Sequence, residues 1–237
     1  WASSDGGRWG HNFRALAISP AYGPDNTAFV GIGWGGAFKT VDGGSHWGQA
    51  NGGLTELGNR WHGVEVFGGA QSNTIGGNTP GKRNVISRNG NVGVGLWGDR
   101  NRVAGNYIGT DAAGLAPLGN KHAGIWTTGR GNQIGGSSPE ERNVVSANYI
   151  YGVRIDGPNA TDNTVSGNYV GTDATAATAL WSRSGGVLIV GGANGNVIGG
   201  TTPGERNVIS GNRNQGVWIY DSGTVSNVIV GNFIGTD

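Results

Sequence analysis

The sequence predicts an all-β protein whose residues 61–237 wind into a parallel β-helix of about five to six coils. Two internal periods support this fold: a long repeat of about 60 residues, and a division of each repeat into two coils of about 30 residues. Composition agrees, because 50 glycines, 13% charged residues and 35% hydrophobic residues indicate many tight turns around a thin apolar interior. We expect residues 1–60 to form a separate small β unit packed on this helix.

Two short strings mark each copy of the long repeat. Arg-Asn-Val-(Ile/Val)-Ser starts at Arg83, Arg142 and Arg206, and Gly-Asn-aromatic-(Ile/Val)-Gly-Thr-Asp starts at Gly105, Gly167 and Gly231. Because both strings recur with the same period, they predict a structural unit that is stacked about three times.

A glycine followed by an aliphatic residue predicts the first strand of each coil. These glycines are Gly63, Gly95, Gly124, Gly152, Gly186 and Gly216. The residue after each glycine is expected to point inward and the next one outward. The outward column then contains three tryptophans: Trp97, Trp126 and Trp218.

Two further strands in each coil open with Asn, and the interval between the two Asn alternates between long and short from coil to coil. These residues are Asn73, Asn84, Asn101, Asn106, Asn132, Asn143, Asn163, Asn168, Asn196, Asn207, Asn227 and Asn232. Equivalent Asn on successive coils lie roughly 4.8 Å apart, where their amides can hydrogen-bond in a ladder. A structural ladder is therefore favoured over a row of catalytic amides.

The residue after the second Asn is apolar in every coil, although strand alternation places it outside. This column is Val85, Tyr107, Val144, Tyr169, Val208 and Phe233. We expect the Gly-Thr-Asp and Pro-containing loops to cover most of it, and Phe233 to contact a second subunit.

No cofactor is expected, and calcium is the alternative considered. Asp111, Asp173 and Asp237 recur once in every two coils, which is too far apart for one shared ion, so we expect each to close its own turn. The four histidines, His11, His46, His62 and His122, stand in unrelated sequence contexts, without metal-ligand spacing.

The coils resemble the right-handed parallel β-helix repeats of large bacterial secreted proteins, in the superfamily that contains the pectin and pectate lyases. The resemblance covers residues 63–237 and rests on the Asn-Val-Ile-Ser and Gly-Asn-Tyr-Ile-Gly-Thr-Asp strings. It implies, for enzymes, a cluster of acidic residues with calcium and an Arg or Lys base. Here Glu65, Asp99, Arg154 and Asp156 are scattered single residues, so we expect no catalytic residue.

Residues 1–60 follow a different pattern. The string from Thr40 to Trp47 resembles the Asp-box turn of sialidase-like β-propeller blades, and a shorter copy runs from Ser3 to Trp9. Residues 28–32 and 37–40 are predicted to be adjacent strands. One blade cannot close a propeller, which argues against a sialidase. Residues 1–60 are expected either to cap the β-helix or to be the last blade of a longer propeller, and the first is favoured because a β-helix needs its open end covered.

Charge and composition argue against two classes of partner. The formal net charge is +1, with no basic run for nucleic acid, and no apolar stretch is long enough to insert in a membrane. The absence of cysteine suits an extracellular or cell-surface location.

Two functions fit these observations. The first is a non-enzymatic structural protein that associates with itself, because the sequence stops in mid-coil at Asp237 and uncapped strands pair with another chain head to tail. The second is a carbohydrate-binding or polysaccharide-depolymerising protein, a lyase or a glycoside hydrolase, in which the outward tryptophans stack on sugar rings. The first is favoured.

Overall fold

A computed structural model describes residues 13–18, 28–32, 36–40, 48–49 and 58–235. The chain forms two compact units, Trp1–Arg60 and Trp61–Asp237. Among the described residues, secondary structure is almost entirely β, and no helix is long and apolar enough to cross a membrane.

The first unit contains a four-stranded antiparallel sheet. Its strands, in spatial order, are β1 (Phe13–Ile18), β2 (Ala28–Ile32), β3 (Gly36–Thr40) and β4 (Gly48–Gln49). The two strands that the sequence predicts here are β2 and β3, and they pair with each other. The Asp-box residues at 3–9 and 41–47 lie outside the described residues, as do His11 and His46.

The second unit is a β-solenoid built from three parallel six-stranded sheets. The first sheet consists of β5 (Val64–Val66), β8 (Val94–Leu96), β11 (Ile125–Thr127), β14 (Tyr151–Asp156), β17 (Gly185–Val190) and β20 (Gln215–Ile219). The second consists of β6 (Thr74–Gly76), β9 (Arg102–Ala104), β12 (Gln133–Gly135), β15 (Thr164–Ser166), β18 (Val197–Gly199) and β21 (Val228–Val230). The third consists of β7 (Val85–Ile86), β10 (Tyr107–Ile108), β13 (Val144–Val145), β16 (Tyr169–Val170), β19 (Val208–Ile209) and β22 (Phe233–Ile234). The chain visits the sheets in turn and completes about five turns, which confirms the predicted fold class.

Stacked aliphatic side chains fill the interior. Each sheet contributes an inward column, and equivalent side chains pack one coil above another at the strand spacing of about 4.8 Å. The largest fully buried members are Leu96, Ile108, Ile125, Ile134, Ile155, Ile189, Ile198 and Ile209. One inward position is occupied by a polar residue, Thr127. Its buried hydroxyl accepts a hydrogen bond from Nδ2 of Asn132 at 3.0 Å.

The predicted register of the second coil was wrong by two residues. Val94 pairs with Val64 and with Ile125, so the glycine that opens this coil is Gly93 and not Gly95. Gly95 instead occupies the outward position, opposite Trp126. Both registers keep the same inward and outward alternation, so the sequence pattern alone did not distinguish them.

Within each of the two predicted series of Asn residues, hydrogen bonds join the residues of successive coils. At each step, the Oδ1 atom of one Asn accepts the backbone N–H of the Asn one coil below, as Asn168 does from Asn143 at 3.2 Å. The side-chain Nδ2 usually donates to the same oxygen, at 2.9 Å in that pair. Asn132 is the exception, because its Nδ2 donates to Thr127.

A third ladder, which the sequence analysis missed, lies at the corner where the third sheet leads into the first. Asn89 donates to Asn120, and Asn120 donates to Asn148. The series then continues with Ser182 and Asn212, and the hydroxyl of Ser182 and Oδ1 of Asn212 are both buried without a partner. A Ser-x-Asn string ending at Asn89, Asn148 and Asn212 was the available signal.

Replacing Ser182 with Asn should complete the third ladder and raise the free energy of unfolding by about 1 kcal/mol. The new amide would donate to Oδ1 of Asn212, as its equivalents do in the other coils. Urea unfolding measures this effect, with Ser182→Ala as the control that only removes an unpaired hydroxyl. A Ser182→Asn variant less stable than the wild type would show that this corner lacks room for the amide.

Candidate functional site

Trp97 lies across the outer face of the first sheet, over Gly95. A β-carbon at Gly95 would lie 2.9 Å from Cζ2 of the Trp97 ring, so the glycine leaves the space that the indole needs. The indole Nε1 donates to Oε1 of Glu65 at 2.8 Å. Trp97 therefore belongs to the outer surface of this sheet, although it follows β8 and is not part of it.

Trp126 lies beside Trp97 and completes an aromatic strip, formed by His62, Trp97, Trp126 and His122. The two indole centroids are 5.4 Å apart in an edge-to-face arrangement, and His122 stacks on Trp126 at 5.0 Å. His62 contacts the edge of Trp97 at 5.9 Å. His62 and His122 stand in unrelated sequence contexts, but they precede β5 and β11, two turns apart, and each contacts a tryptophan of this strip.

Arg154 joins the strip to the acidic residues beyond it. Its guanidinium lies 4.2 Å from the Trp126 ring centroid and donates twice to Oδ2 of Asp156, at 3.1 and 2.8 Å. Burial lowers the pKa of His122, and electrostatic interactions with Arg154 and His62 lower it further. Both effects favour the neutral form of His122 over the protonated form.

An open groove of about 600 Å³ lies where the chain passes from the first sheet to the second. Its lining consists of Trp97, Asp99, Thr128, Gly129, Arg130, Asp156, Gly157, Pro158, Asn159 and Thr161. These residues end or follow β8, β11 and β14 in three successive coils, so the groove runs along the solenoid axis. Its lining combines one tryptophan with several hydrogen-bonding side chains.

Two of the acidic residues that the sequence presents as scattered single residues lie at the same groove. Asp99 and Asp156 line the same groove, Arg154 binds Asp156, and Glu65 binds Trp97. They come together because successive coils place residues about 30 positions apart at neighbouring points. The groove residues have no repeated sequence pattern, so no periodicity marks them.

The charged groups of the groove are held by specific partners. Oδ1 of Asp99 accepts the backbone N–H of Arg130 at 2.8 Å. The Arg130 side chain donates in turn to Asp162 at 2.9 Å. Among the described lining residues, Arg130 is therefore ion-paired with Asp162 and Asp156 with Arg154, which leaves Asp99 as the charged side chain outside an ion pair.

The two described aspartates of the calcium alternative close their own turns. Oδ1 of Asp111 accepts the N–H groups of Leu115 and Ala116, at 2.8 and 3.0 Å. These two hydrogen bonds lower the pKa of Asp111. Oδ1 of Asp173 accepts from Thr175 and two further N–H groups of its loop. Asp237 lies outside the described residues, and within them no three His, Asp or Glu side chains are grouped as metal ligands.

The remaining predicted contact residues lie elsewhere on the solenoid. Trp218 is 37% exposed, at the outer face of β20 beside Tyr220, and does not line the groove. Phe233 is 45% exposed, and the Arg206 guanidinium lies 4.4 Å from its ring centroid. The same arrangement repeats where Arg83 covers Tyr107 and Arg142 covers Tyr169.

The repeated arginines are therefore part of the building pattern of the third sheet. Each also donates from Nε to a glycine carbonyl in the following coil, as Arg142 does to Gly167 at 3.1 Å. The loop around Gly114 approaches the Tyr107 ring closely. The chain's own arginines and loops thus cover much of the outward apolar column.

Comparison of the chain with protein-family models, curated proteins and solved structures found no match.

Proposed function

We propose that this protein is a non-enzymatic, extracellular carbohydrate-binding protein that holds a glycan chain in the groove beside the first sheet. The observation that carries the proposal is the groove itself, in which the Trp97 indole lies next to Asp99, Arg130, Asn159 and Thr161. A sugar ring has an apolar face for an aromatic ring and a rim of hydroxyl groups for polar side chains. The resemblance of the coils to repeats of the pectin lyase superfamily points to the same class of ligand.

The direction of the groove favours a chain over a single sugar. Three successive coils line it, and two inter-strand steps correspond to about 10 Å along the solenoid axis. The rigid stacking of these coils holds the contacts in place before a ligand arrives, which lowers the entropy lost on binding. Trp97 is itself held in place by its hydrogen bond to Glu65 and by its contact with Trp126.

Charge favours a neutral glycan. A polyuronate would bring carboxylates next to Asp99, while Arg130 and Arg154 are already paired with Asp162 and Asp156. The hydrogen bonds of Asp156 also favour binding over hydrolysis. Asp156 accepts two hydrogen bonds from Arg154, whereas a general acid must carry a proton to donate.

Replacing Trp97 with Ala should weaken binding of a neutral glycan about tenfold or more, because a buried aromatic contact dominates most binding sites. Affinity electrophoresis in gels containing soluble glucans, xylans or galactans identifies the ligand, and calorimetry measures its affinity. The matched control is Trp218→Ala, the same change on the same sheet outside the groove, which should leave affinity unchanged. Equal affinities for the Trp97→Ala variant and the wild type would refute the groove as the binding site.

The alternative of a depolymerising enzyme is tested in the same samples. Release of reducing ends or unsaturated sugars from any bound glycan, abolished by Asp156→Asn, would replace the binding proposal by a catalytic one. The prediction of a self-associating filament rests on other residues, at the last strands, and stays a prediction.

A further inference from the structure

We propose a second binding site, for acidic polysaccharides, at the corner where the third sheet leads into the first. Five exposed side chains define this cationic edge: Lys121, Tyr149, Trp181, Arg183 and Arg213. It lies at the amino ends of the first-sheet strands, whereas the groove lies beyond their carboxyl ends. The two sites therefore do not share a residue.

The third Asn ladder sets the spacing of the cationic edge. Lys121, Tyr149, Arg183 and Arg213 each follow a corner residue of that series, in four successive coils. Backbone hydrogen bonds support this stacking, from Tyr149 N–H to the Asn120 carbonyl and from Arg213 N–H to the Ser182 carbonyl. Lys121 and Arg213 are thus three inter-strand steps apart, about 14 Å along the solenoid axis.

The aromatic side chains pre-orient the arginines. The Arg183 guanidinium lies 4.6 Å from the ring centroid of Tyr149, and that of Arg213 lies 5.9 Å from the Trp181 ring. Tyr149 is 53% exposed and Trp181 is 50% exposed, so these groups are accessible. A guanidinium that stacks on a ring keeps its N–H groups free for two parallel hydrogen bonds to a carboxylate.

The local charge is uniformly positive. The corner segments 118–122, 147–151, 180–184 and 210–215 contain no Asp or Glu. Asp111 and Asp173 precede two of these segments, but each binds N–H groups of its own loop. Among the described residues, no carboxylate forms an ion pair with Lys121, Arg183 or Arg213.

The number of cations favours an acidic polysaccharide over nucleic acid. Proteins that bind nucleic acid through phosphates often make about 6–10 such contacts, whereas the edge offers three cations. Carboxylates along a polyuronate match paired guanidinium N–H groups, and exposed aromatic rings between the cations match the apolar faces of sugars.

The test uses polygalacturonate oligomers as the probe in calorimetry at low salt. Replacing both Arg183 and Arg213 with Gln should weaken binding about tenfold or more, and added salt should weaken wild-type binding. The matched control replaces Lys82 and Arg100 with Gln, which removes the same charge at other exposed positions and should leave affinity nearly unchanged. An equal loss in both double variants would overturn the proposal, because net charge alone would then explain binding.

Further outcomes show whether polygalacturonate binds at the edge or in the groove, and whether the edge prefers polysaccharide to nucleic acid. Trp97→Ala should retain polygalacturonate binding, and the Arg183/Arg213 variant should retain binding of any neutral glycan. Polygalacturonate binding that Trp97→Ala abolishes would assign the acidic ligand to the groove and overturn the edge site. Duplex DNA that binds the wild type as tightly as polygalacturonate, and through the same arginines, would also overturn the assignment to polysaccharide.

Discussion

Replacing Asn168 with Ala should lower the free energy of unfolding by about 3–5 kcal/mol, because several buried polar groups would lose their partners together. Asn168 is fully buried. Its Oδ1 accepts from the N–H and Nδ2 of Asn143, and its Nδ2 donates to the Ile134 and Ser166 carbonyls and to Asn207. Urea unfolding followed by circular dichroism measures this loss.

Position in the ladder supplies the control for that prediction. Asn73 is exposed at the first coil, and in the described structure its side chain only donates, to Asn101 and to the Gln71 carbonyl. Asn73→Ala should therefore cost less than about 1 kcal/mol. If the two alanine variants unfold at the same urea concentration, the ladder contributes nothing specific to the interior coils.

Replacing Ile125 with Ala should lower the free energy of unfolding by about 2–4 kcal/mol. Ile125 is fully buried on β11, between Val94 and Val153 of the adjacent coils. The coils above and below are held by sheet hydrogen bonds and Asn ladders, so they cannot move inward to fill the cavity. Thermal and urea unfolding of the variant measure the change.

Two substitutions control the Ile125 result. Ile125→Val removes one methyl group and should cost about 0.5–1.5 kcal/mol. Val85→Ala, at a position 46% exposed on the outer side of β7, should change stability by less than about 0.5 kcal/mol. A melting temperature for Ile125→Ala equal to that of Val85→Ala would show that the inward face has been misassigned.

The groove and the cationic edge lie at opposite ends of the same first-sheet strands. β14 links them directly, because Tyr149 precedes this strand and Asp156 ends it. The charge-paired groove and the cationic edge suit different ligands, and each gathers residues from three or more coils. A protein with both sites would hold a neutral glycan and an acidic one at once, as a heterogeneous polysaccharide matrix presents them.

The sequence by itself determined the repeated parts of this protein. Period, strand alternation and corner Asn residues predict three strands in each coil, stacked in parallel, and the described strands confirm this. A β-solenoid is predictable in this way because each coil contacts only its neighbours, so the same local rule applies at every step. The inward position of Ile125 followed from this pattern.

The tertiary structure alone decided what the non-repeated residues do. Trp97 reaches Glu65 because Gly95 stands one coil above Glu65 in the sheet, a register that alternation left ambiguous by two residues. Asp99 and Asp156 line one groove because stacking joins residues far apart in the chain. A repeat determines which position in the coil a residue occupies. The chemistry of the surface depends instead on which unlike residues become neighbours in successive coils. No period in the sequence predicts those neighbours.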